Sequence, residues 1–228
     1  MPRWARITVP GVSLHLIQRG NNRQACFFRE TDYRLYLEWL AEYSSEASCA
    51  VHAYVLMTNH VHLLLTPQTA SSASELMKQL GQRYAQYINR TQRRSGTLWE
   101  GRFRSCLIES ETYVLACHRY IELNPVRAQM VEHPAMYVWS SYRANGQGEP
   151  SSLLTPHPLY QELGRDEASR LCAYGALFEN CDEQTMTQEI RAATKGNYVL
   201  GCRAFEEALA TSLGRRVTPG RSGRPRKT

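Results

Sequence analysis

An α+β fold, in which an antiparallel sheet carries helices packed on one face, is what this sequence predicts from three observations. Short runs rich in β-branched and aromatic residues alternate with longer runs of helical apolar spacing, in the order strand, helix, strand, strand, helix, strand, helix. Two of those strands, 49–56 and 60–66, are joined by only Met57-Thr58-Asn59, a hairpin connection. The chain has 228 residues, enough to bury a real core as one large domain or as a compact domain with an appendage.

Residues 12–18 alternate as a strand does, and Arg19-Gly20-Asn21-Asn22-Arg23 is a turn-rich loop before a short strand at Cys26-Phe27-Phe28. Tyr33, Leu35, Tyr36, Leu37, Trp39, Leu40 and Tyr43 recur at helical spacing, so a helix is expected from residue 32 to about 46, capped by Thr31 or Asp32. In the hairpin's second strand the period of two sends His60 and His62 to one face and Val61 and Leu63 to the opposite, buried face. Ser74 caps a helix that carries Leu76, Met77, Leu80, Tyr84, Tyr87 and Ile88 and ends near Arg90. A further strand is expected within 98–108, then a helix from Glu111 to about Leu123 capped by Ser110. Asn124 precedes Pro125, a position biased away from the α region, and so marks the helix end. Residues 146–152, Gly-Gln-Gly-Glu-Pro-Ser-Ser, read as a linker, and 158–178 and 185–213 read as helical. There is no internal repeat.

No run of about 18 apolar residues occurs, and the first residues lack the order of a secretory signal, so a cytosolic protein with no membrane partner is expected. The seven cysteines form an odd, dispersed set without Cys-x-x-Cys, which argues against a disulfide framework and a cysteine-ligated zinc. The net charge of +6 is unevenly spread: Arg215, Arg216, Arg221, Arg224, Arg226 and Lys227 stand in the last fourteen residues without an acid. Without these six, the chain carries 21 basic and 21 acidic side chains. Arg3, Arg6, Arg19, Arg23 and Arg29 precede the first acid, Glu30, and residues 78–104 hold seven basic side chains against Glu100 alone. A cationic face on the first half and a cationic tail both suit a polyanion, although any single Arg is equally a solvated surface residue.

His60 and His62 share a strand face and can grip one metal ion. Alone the pair is weak evidence, because a histidine on a half-buried strand is often only packed and hydrogen-bonded. Tyr120 and Asn124 lie four apart on a helix, so a phenol and an amide share one helical face. With Asn124 as a third, neutral oxygen ligand the set leaves positions for water or a phosphate oxygen, and it suits Mg²⁺ or Mn²⁺ better than a closed structural zinc. A phenol is a weak nucleophile at neutral pH, so the constellation points to metal-assisted attack on a phosphodiester. Tyr113, nearly two turns earlier, is the rival nucleophile; the amide at i+4 favours Tyr120. Cys117 shows no activation by neighbouring His118, since adjacent helix residues do not face each other, and His118 is assigned no role. Trp99, Arg102, Phe103 and Arg104 interleave aromatics and cations as in a surface that stacks unpaired bases, while a core strand with outward charges explains the alternation equally well.

Asn59-His60-Val61-His62 resembles the histidine-hydrophobe-histidine motif of HUH single-strand DNA nucleases. Residues 120–128, Tyr-Ile-Glu-Leu-Asn-Pro-Val-Arg-Ala, resemble the tyrosine helix of REP-associated tyrosine transposases, a branch of the IS200-like superfamily. Arg19-Gly20-Asn21, Leu98-Trp99-Glu100-Gly101-Arg102-Phe103, Tyr137-Val138-Trp139-Ser140-Ser141-Tyr142 and Gly223-Arg224-Pro225-Arg226-Lys227 extend the likeness over nearly the whole chain. The resemblance implies a ferredoxin-like catalytic domain over 1–145, a helical extension over 146–214 and a basic tail over 215–228, disordered when free. It implies Mg²⁺ or Mn²⁺ held by His60, His62 and Asn124, with Tyr120 the nucleophile that forms a 5′-phosphotyrosine link to single-stranded DNA and frees a 3′-hydroxyl. Rejoining through such a link needs no ATP, in keeping with the absence of a Gly-x-x-x-x-Gly-Lys-[Ser/Thr] loop.

The implied partner is a hairpin formed by a repetitive extragenic palindrome (REP), in the bacterial cytoplasm at the nucleoid. The expected contacts are Arg6, Arg19, Asn21, Asn22, Arg23, Trp99, Arg102, Phe103 and Arg104, with Arg215, Arg216, Arg224, Arg226 and Lys227 from the tail. The tail either clamps DNA or folds over the cationic face, and monomer and homodimer are both open. Two other functions compete. One is hairpin binding without cleavage. The other is a nucleotide hydrolase or a different metallohydrolase, which would need a third alternating histidine where Leu64 stands or an Asp-His pair shortly after.

Overall fold

The structure is a computed structural model that describes residues 6–179 and 184–219, and all their side chains except those of 110–112. β1 (Leu14–Arg19), α1 (Glu30–Glu46), β2 (Cys49–Met57), β3 (His60–Pro67), α2 (Ser72–Thr91) and β4 (Arg104–Ile108) follow the expected order. After them come α3 (Ser110–Glu122), α4 (Asn124–Arg127), α5 (Tyr142–Gln147), α6 (Pro158–Gln161), α7 (Glu167–Ala176), α8 (Gln184–Gly196), β5 (Val199–Leu200) and α9 (Arg203–Leu213). The sheet runs β2-β3-β1-β4-β5, antiparallel from β2 to β4 and parallel between β4 and β5. That order places β1 between β3 and β4, the interleaving of a ferredoxin-like α+β fold.

Strand alternation divides the residues between two cores. Leu14 and Leu16 of β1, Val61, Leu63 and Leu65 of β3 and Leu107 of β4 pack against Tyr36 and Leu40 of α1 and Leu76, Leu80 and Tyr84 of α2. This is the expected helical layer. The opposite face is covered as well: Ala53, Val55, Leu64, Cys106 and Ile108 meet Val114, Cys117 and Ile121 of α3 and Ile190 and Ala193 of α8. His52 lies at a register shift in β2, between Val51 paired with Leu65 and Ala53 paired with Leu64. The extra residue turns Val51 and Ala53 to opposite faces, as a bulge does.

Some boundaries differ from expectation for identifiable reasons. Cys26-Phe27-Phe28 forms no strand; the N–H groups of Cys26 and Phe27 both donate to the Thr58 carbonyl, at 2.9 and 3.2 Å, and the Phe27 ring packs on Tyr33, Tyr36 and Tyr84. Helix α1 begins at Glu30 because Asp32 reaches back, accepting from the N–H groups of Phe28 and Arg29 at 2.8 and 2.9 Å. The helical run expected over 158–178 breaks into α6 and α7, and that over 185–213 is interrupted by β5, which pairs with β4. The segment read as a linker begins inside α5, and just beyond it the Thr155 N–H donates to the Val51 carbonyl at 2.8 Å. Among the described residues no helix is long and apolar enough to cross a membrane. Val217, expected within a free tail, is 2% exposed, and its carbonyl accepts from the Val199 N–H at 2.9 Å.

A buried carboxylate orients α3. Glu122 accepts from the Ser141 hydroxyl at 2.6 Å, the Asn145 amide at 2.9 Å and the Tyr174 hydroxyl at 2.6 Å, joining α3 to α5 and α7. Residues 137–141 lie beside β2, with the Leu56 N–H donating to the Trp139 carbonyl at 2.9 Å. The same helix carries Tyr120 one half-turn away from Glu122.

Candidate active site

His60 and His62 leave β3 on the face covered by α3 and α8, and neighbouring β1 places His15, Ile17 and Arg19 on that same face. The C-terminal end of α3 brings Tyr120, and the start of α4 brings Asn124. All four expected site residues line one cleft of about 520 Å³, together with His15, Ile17, Arg19, Arg23, Glu100, Gly101, Arg102, Arg104, Arg191, Thr194 and Lys195. Glu100 is the one carboxylate among these lining residues, so the cleft is strongly cationic. Among the described residues, no group of three His, Cys, Asp or Glu side chains converges as a metal cage.

The hydrogen bonds test whether these residues fit a cation. Asn59 donates its amide to the Arg23 carbonyl at 3.0 Å, which turns its Oδ1 toward His60 Nδ1 at 2.6 Å. His60 thus carries its proton on Nδ1, and Nε2 keeps a lone pair. A longer chain sets His62. The Thr194 hydroxyl donates to the Ile190 carbonyl at 2.7 Å, so its oxygen accepts from His15 Nδ1 at 2.8 Å. Neutral His15 has one N–H, so its Nε2 accepts from His62 Nδ1 at 2.8 Å, and Nε2 of His62 also keeps a lone pair. Asn124 donates its amide to the carbonyls of Tyr120 and Ile121, at 2.9 and 3.2 Å, and its Oδ1 remains as the acceptor atom. Two imidazole lone pairs and one amide oxygen are a donor set that fits a divalent cation with open positions.

Burial keeps these imidazoles neutral. His60 is lowered to about 4 by burial and then by the Arg19 charge, and His15 is lowered to about 3 by burial. His62 is lowered well below the ordinary value by burial, then by His15, His60, Arg127 and Arg19. Neutral imidazole is the ligating form.

Tyr120 is 6% exposed and meets His15 and His62 edge-on, with ring centroids 5.5 and 5.6 Å away. The Arg127 guanidinium lies 4.7 Å from the centre of its ring and donates to its backbone carbonyl. Burial raises the phenol above its ordinary value, while the nearby Arg191 and Arg127 guanidiniums oppose that rise. Tyr113, the rival, is half-buried among Glu109, Glu189 and Glu206, whose charges also raise it, and it does not line the cleft. Cys117 is fully buried, and its thiol is raised well above the usual range. His118 is packed against Tyr160 and Tyr174.

The loop motifs assemble beside the histidines. The Gly20 N–H donates to the Asn59 carbonyl, the Asn21 N–H to the Leu98 carbonyl and the Glu100 N–H to the Arg19 carbonyl, each at 2.8 Å. A Cβ on Gly20 would stand 2.2 Å from the Gln24 carbonyl oxygen, so only glycine fits this crossing.

Of the expected DNA contacts, Arg19, Arg23, Arg102 and Arg104 line the cleft. Arg6 joins Arg102, Phe103, Arg104 and Lys195 around a smaller adjoining pocket. Asn21 and Asn22 form the tight turn before Arg23 and do not line the cleft. Trp99 takes the core alternative of its two readings: it is 8% exposed, its ring lies 5.8 Å from Tyr84, and its indole N–H donates to the Gly81 carbonyl at 3.1 Å. Phe103 is likewise buried, under the Arg6 guanidinium at 3.6 Å. Arg215 and Arg216 follow α9 and do not line the cleft, and Arg224, Arg226 and Lys227 lie outside the described residues.

His15, Arg191, Thr194 and Lys195 were not expected. His15 had a signal, since alternation along β1 puts it on the face of Arg19. The α8 residues had none, because no local pattern says which strand a distant helix covers.

The family model described as "Transposase IS200 like" matches residues 8–124, just over half of the chain. No curated protein sequence is similar at a significant level. Among solved structures, a REP-associated tyrosine transposase bound to a REP hairpin is 16% identical, with a TM-score of 0.57 over 69% of this chain and 93% of that one. A Deinococcus radiodurans R1 protein described as a candidate transposase is 20% identical over 57% of this chain and 92% of its own, but its TM-score of 0.37 carries no weight. The first likeness supports the fold; the matched segment contains β1 to β4, His60, His62, Tyr120 and Asn124, and by it the chain belongs to the IS200-like transposase family.

Proposed function

We propose that this transposase is of the REP-associated tyrosine type, and that it cuts and rejoins single-stranded DNA next to a palindromic hairpin through a phosphotyrosine link to Tyr120. One observation carries the reading: His60, His62, Asn124 and Tyr120 converge in a single cationic cleft. His60, His62 and Asn124 would hold Mg²⁺ or Mn²⁺, which when bound polarises a phosphate oxygen and offsets developing charge. Asn59 and His15 orient the two imidazoles. The edge contacts with His15 and His62 and the Arg127 guanidinium over its ring hold the Tyr120 phenol for in-line attack. Arg19, Arg23, Arg102 and Arg104 would track the strand's phosphates, a contribution that weakens with salt. The solved relative bound to a REP hairpin supports a folded palindrome as the substrate class.

Burial of Tyr120 favours a second reading, hairpin binding without cleavage. A panel of labelled single-stranded hairpins incubated with Mg²⁺ or Mn²⁺ separates the two. Cleavage predicts a covalent protein–DNA adduct that Tyr120→Phe abolishes while hairpin affinity stays, and that His60→Ala and His62→Ala make independent of the metal at a low residual level. A shift in hairpin mobility with no adduct from wild type would select binding alone.

A further inference from the structure

Beside the cleft lies a smaller pocket of about 190 Å³ that shares Arg102, Arg104 and Lys195 with it. Phe103 lines one side under Arg6, whose guanidinium lies 3.6 Å from the ring centre and whose Nε donates to the Phe103 carbonyl at 3.0 Å. The other side comes from the end of α8 and the residue after it, Lys195 and Asn197, which lie outside the segment that the family model matches. Asn197 closes the helix in the left-handed conformation, at φ 56°: its N–H donates to the Thr194 carbonyl at 3.3 Å, and the Tyr198 N–H donates to the Ala193 carbonyl at 2.9 Å. Arg104 donates to the Lys195 carbonyl at 2.9 Å. Three of the carbonyls that make a helix C-terminus repel an anion are thus occupied. Asn197 Oδ1 accepts from the Ser105 N–H at 3.0 Å, which leaves the amide nitrogen as a donor with no partner among the described residues.

We infer, resting on the reading of the cleft as a single-strand cutting site, that this pocket is a separate phosphate site: it holds a backbone phosphate of the single strand flanking the cut while the cleft holds the scissile one. Charge selects an anion. Arg6, Arg102, Arg104 and Lys195 line the pocket with Asn197 and no carboxylate does, and among the described residues Arg102, Arg104 and Lys195 form no ion pair. Those four full charges outweigh the partial charge of about half a unit at the end of α8. Size selects a phosphate rather than a whole nucleotide, since pockets for complete small ligands take about 300–1,000 Å³. Phe103 is 8% exposed and covered by Arg6, so a base has no open ring to stack on. Contiguity selects a strand: Arg102, Arg104 and Lys195 line both spaces, so a chain whose scissile phosphate lies by His60 and His62 passes directly from one into the other. Such a contact reads no base; it fixes the strand's register, and with it which phosphate meets Tyr120.

The experiment uses the full chain carrying Tyr120→Phe, so that binding is read without covalent capture, and the labelled hairpin oligonucleotide with single-stranded flanks that wild type binds most tightly. A neutral methylphosphonate replaces each phosphate in turn, in stem and flanks, with and without Lys195→Ala. Lys195 is exposed and alanine favours a helix, so the melting temperature should not change. With Lys195 present, one flank position should lose about threefold or more in affinity when neutralised; Lys195→Ala should make that position indifferent and reduce the slope of log affinity against log salt by about 0.7. Asn197→Asp keeps the acceptor for Ser105 and tolerates the left-handed backbone, and its carboxylate should weaken the native strand more than the strand neutral at that position. Losses from the phosphonate and from Lys195→Ala that multiply to within about twofold at every flank position, or a coupled position found only in the stem, overturn the inference; adduct formation by wild type then leaves the Tyr120 reading standing. Absence of both hairpin binding and adduct from wild type overturns both.

Discussion

Nε2 of His15 lies 2.8 Å from Nδ1 of His62, and the two rings are parallel to within 1°. That contact joins a residue of β1 to the inner member of the histidine pair and hands its orientation to Thr194. His15→Phe keeps a ring in the same space and removes the acceptor, so the His62 tautomer is no longer held. Affinity for Mn²⁺ should fall by about 10–100-fold, measured by titration calorimetry, with the fold retained. Unchanged affinity would remove His15 from the metal site.

Stability should decline with acid. Burial holds His15 at about 3 and His52 and His60 at about 4, below the ordinary 6.5. Between those values the unfolded chain binds more protons than the folded one, so stability is lost as pH falls through that window, by about 1.4 kcal/mol per unit for each group. Glu122 opposes this: burial raises it from 4.5 to about 7, so its contribution is lost as pH rises across that range. With His62, His118 and His157 shifted in the same direction, the histidines outweigh the two raised carboxyls, Glu122 and Glu206. The urea midpoint should drop between pH 6.5 and pH 5, and a flat or rising midpoint would contradict the neutral, buried histidines.

Trp99 separates packing from recognition. Trp99→Phe loses the hydrogen bond to the Gly81 carbonyl and part of the contact with Tyr84, so it should destabilise the fold by about 1–3 kcal/mol. Hairpin affinity of the folded protein should stay the same, by fluorescence anisotropy. A selective loss of affinity at full stability would restore Trp99 as a stacking residue.

Arg102 and Arg104 make the opposite case. Replacing either with Ala should weaken hairpin binding and reduce the slope of log affinity against log salt by about 0.7–1, the mark of one lost phosphate contact. A slope equal to that of wild type in both variants would place the backbone elsewhere.

Gly20→Ala tests the loop crossing. With its Cβ 2.2 Å from the Gln24 carbonyl oxygen, the backbone must shift, and Gly20 is bonded to Asn59 beside His60. A stability loss of at least about 1–3 kcal/mol is expected, together with weaker Mn²⁺ binding. Wild-type values for both would show that the loop yields at no cost to the site.

Much of the fold was legible because backbone geometry imposes periods that survive in the residue order. Alternation placed His60 and His62 together and Val61 and Leu63 against the helices, and the helical interval placed Asn124 one turn beyond Tyr120. Trp99 and Phe103 suit core and surface alike, because alternation identifies two faces and does not say which is covered. Cys26-Phe27-Phe28 has strand composition, but its N–H groups go to Thr58 rather than to a ladder.

The residue order by itself determined the element sequence, the histidine pair, the tyrosine with its amide, and the uneven charge. Only the tertiary structure decided what surrounds them. His15 comes from a strand 47 positions before His62, and Thr194 from a helix 179 positions after His15. Those meetings depend on sheet register and on where α8 docks, and both are set by how whole faces bury one another. A local period records which way a side chain points; its partners across the core are chosen by packing.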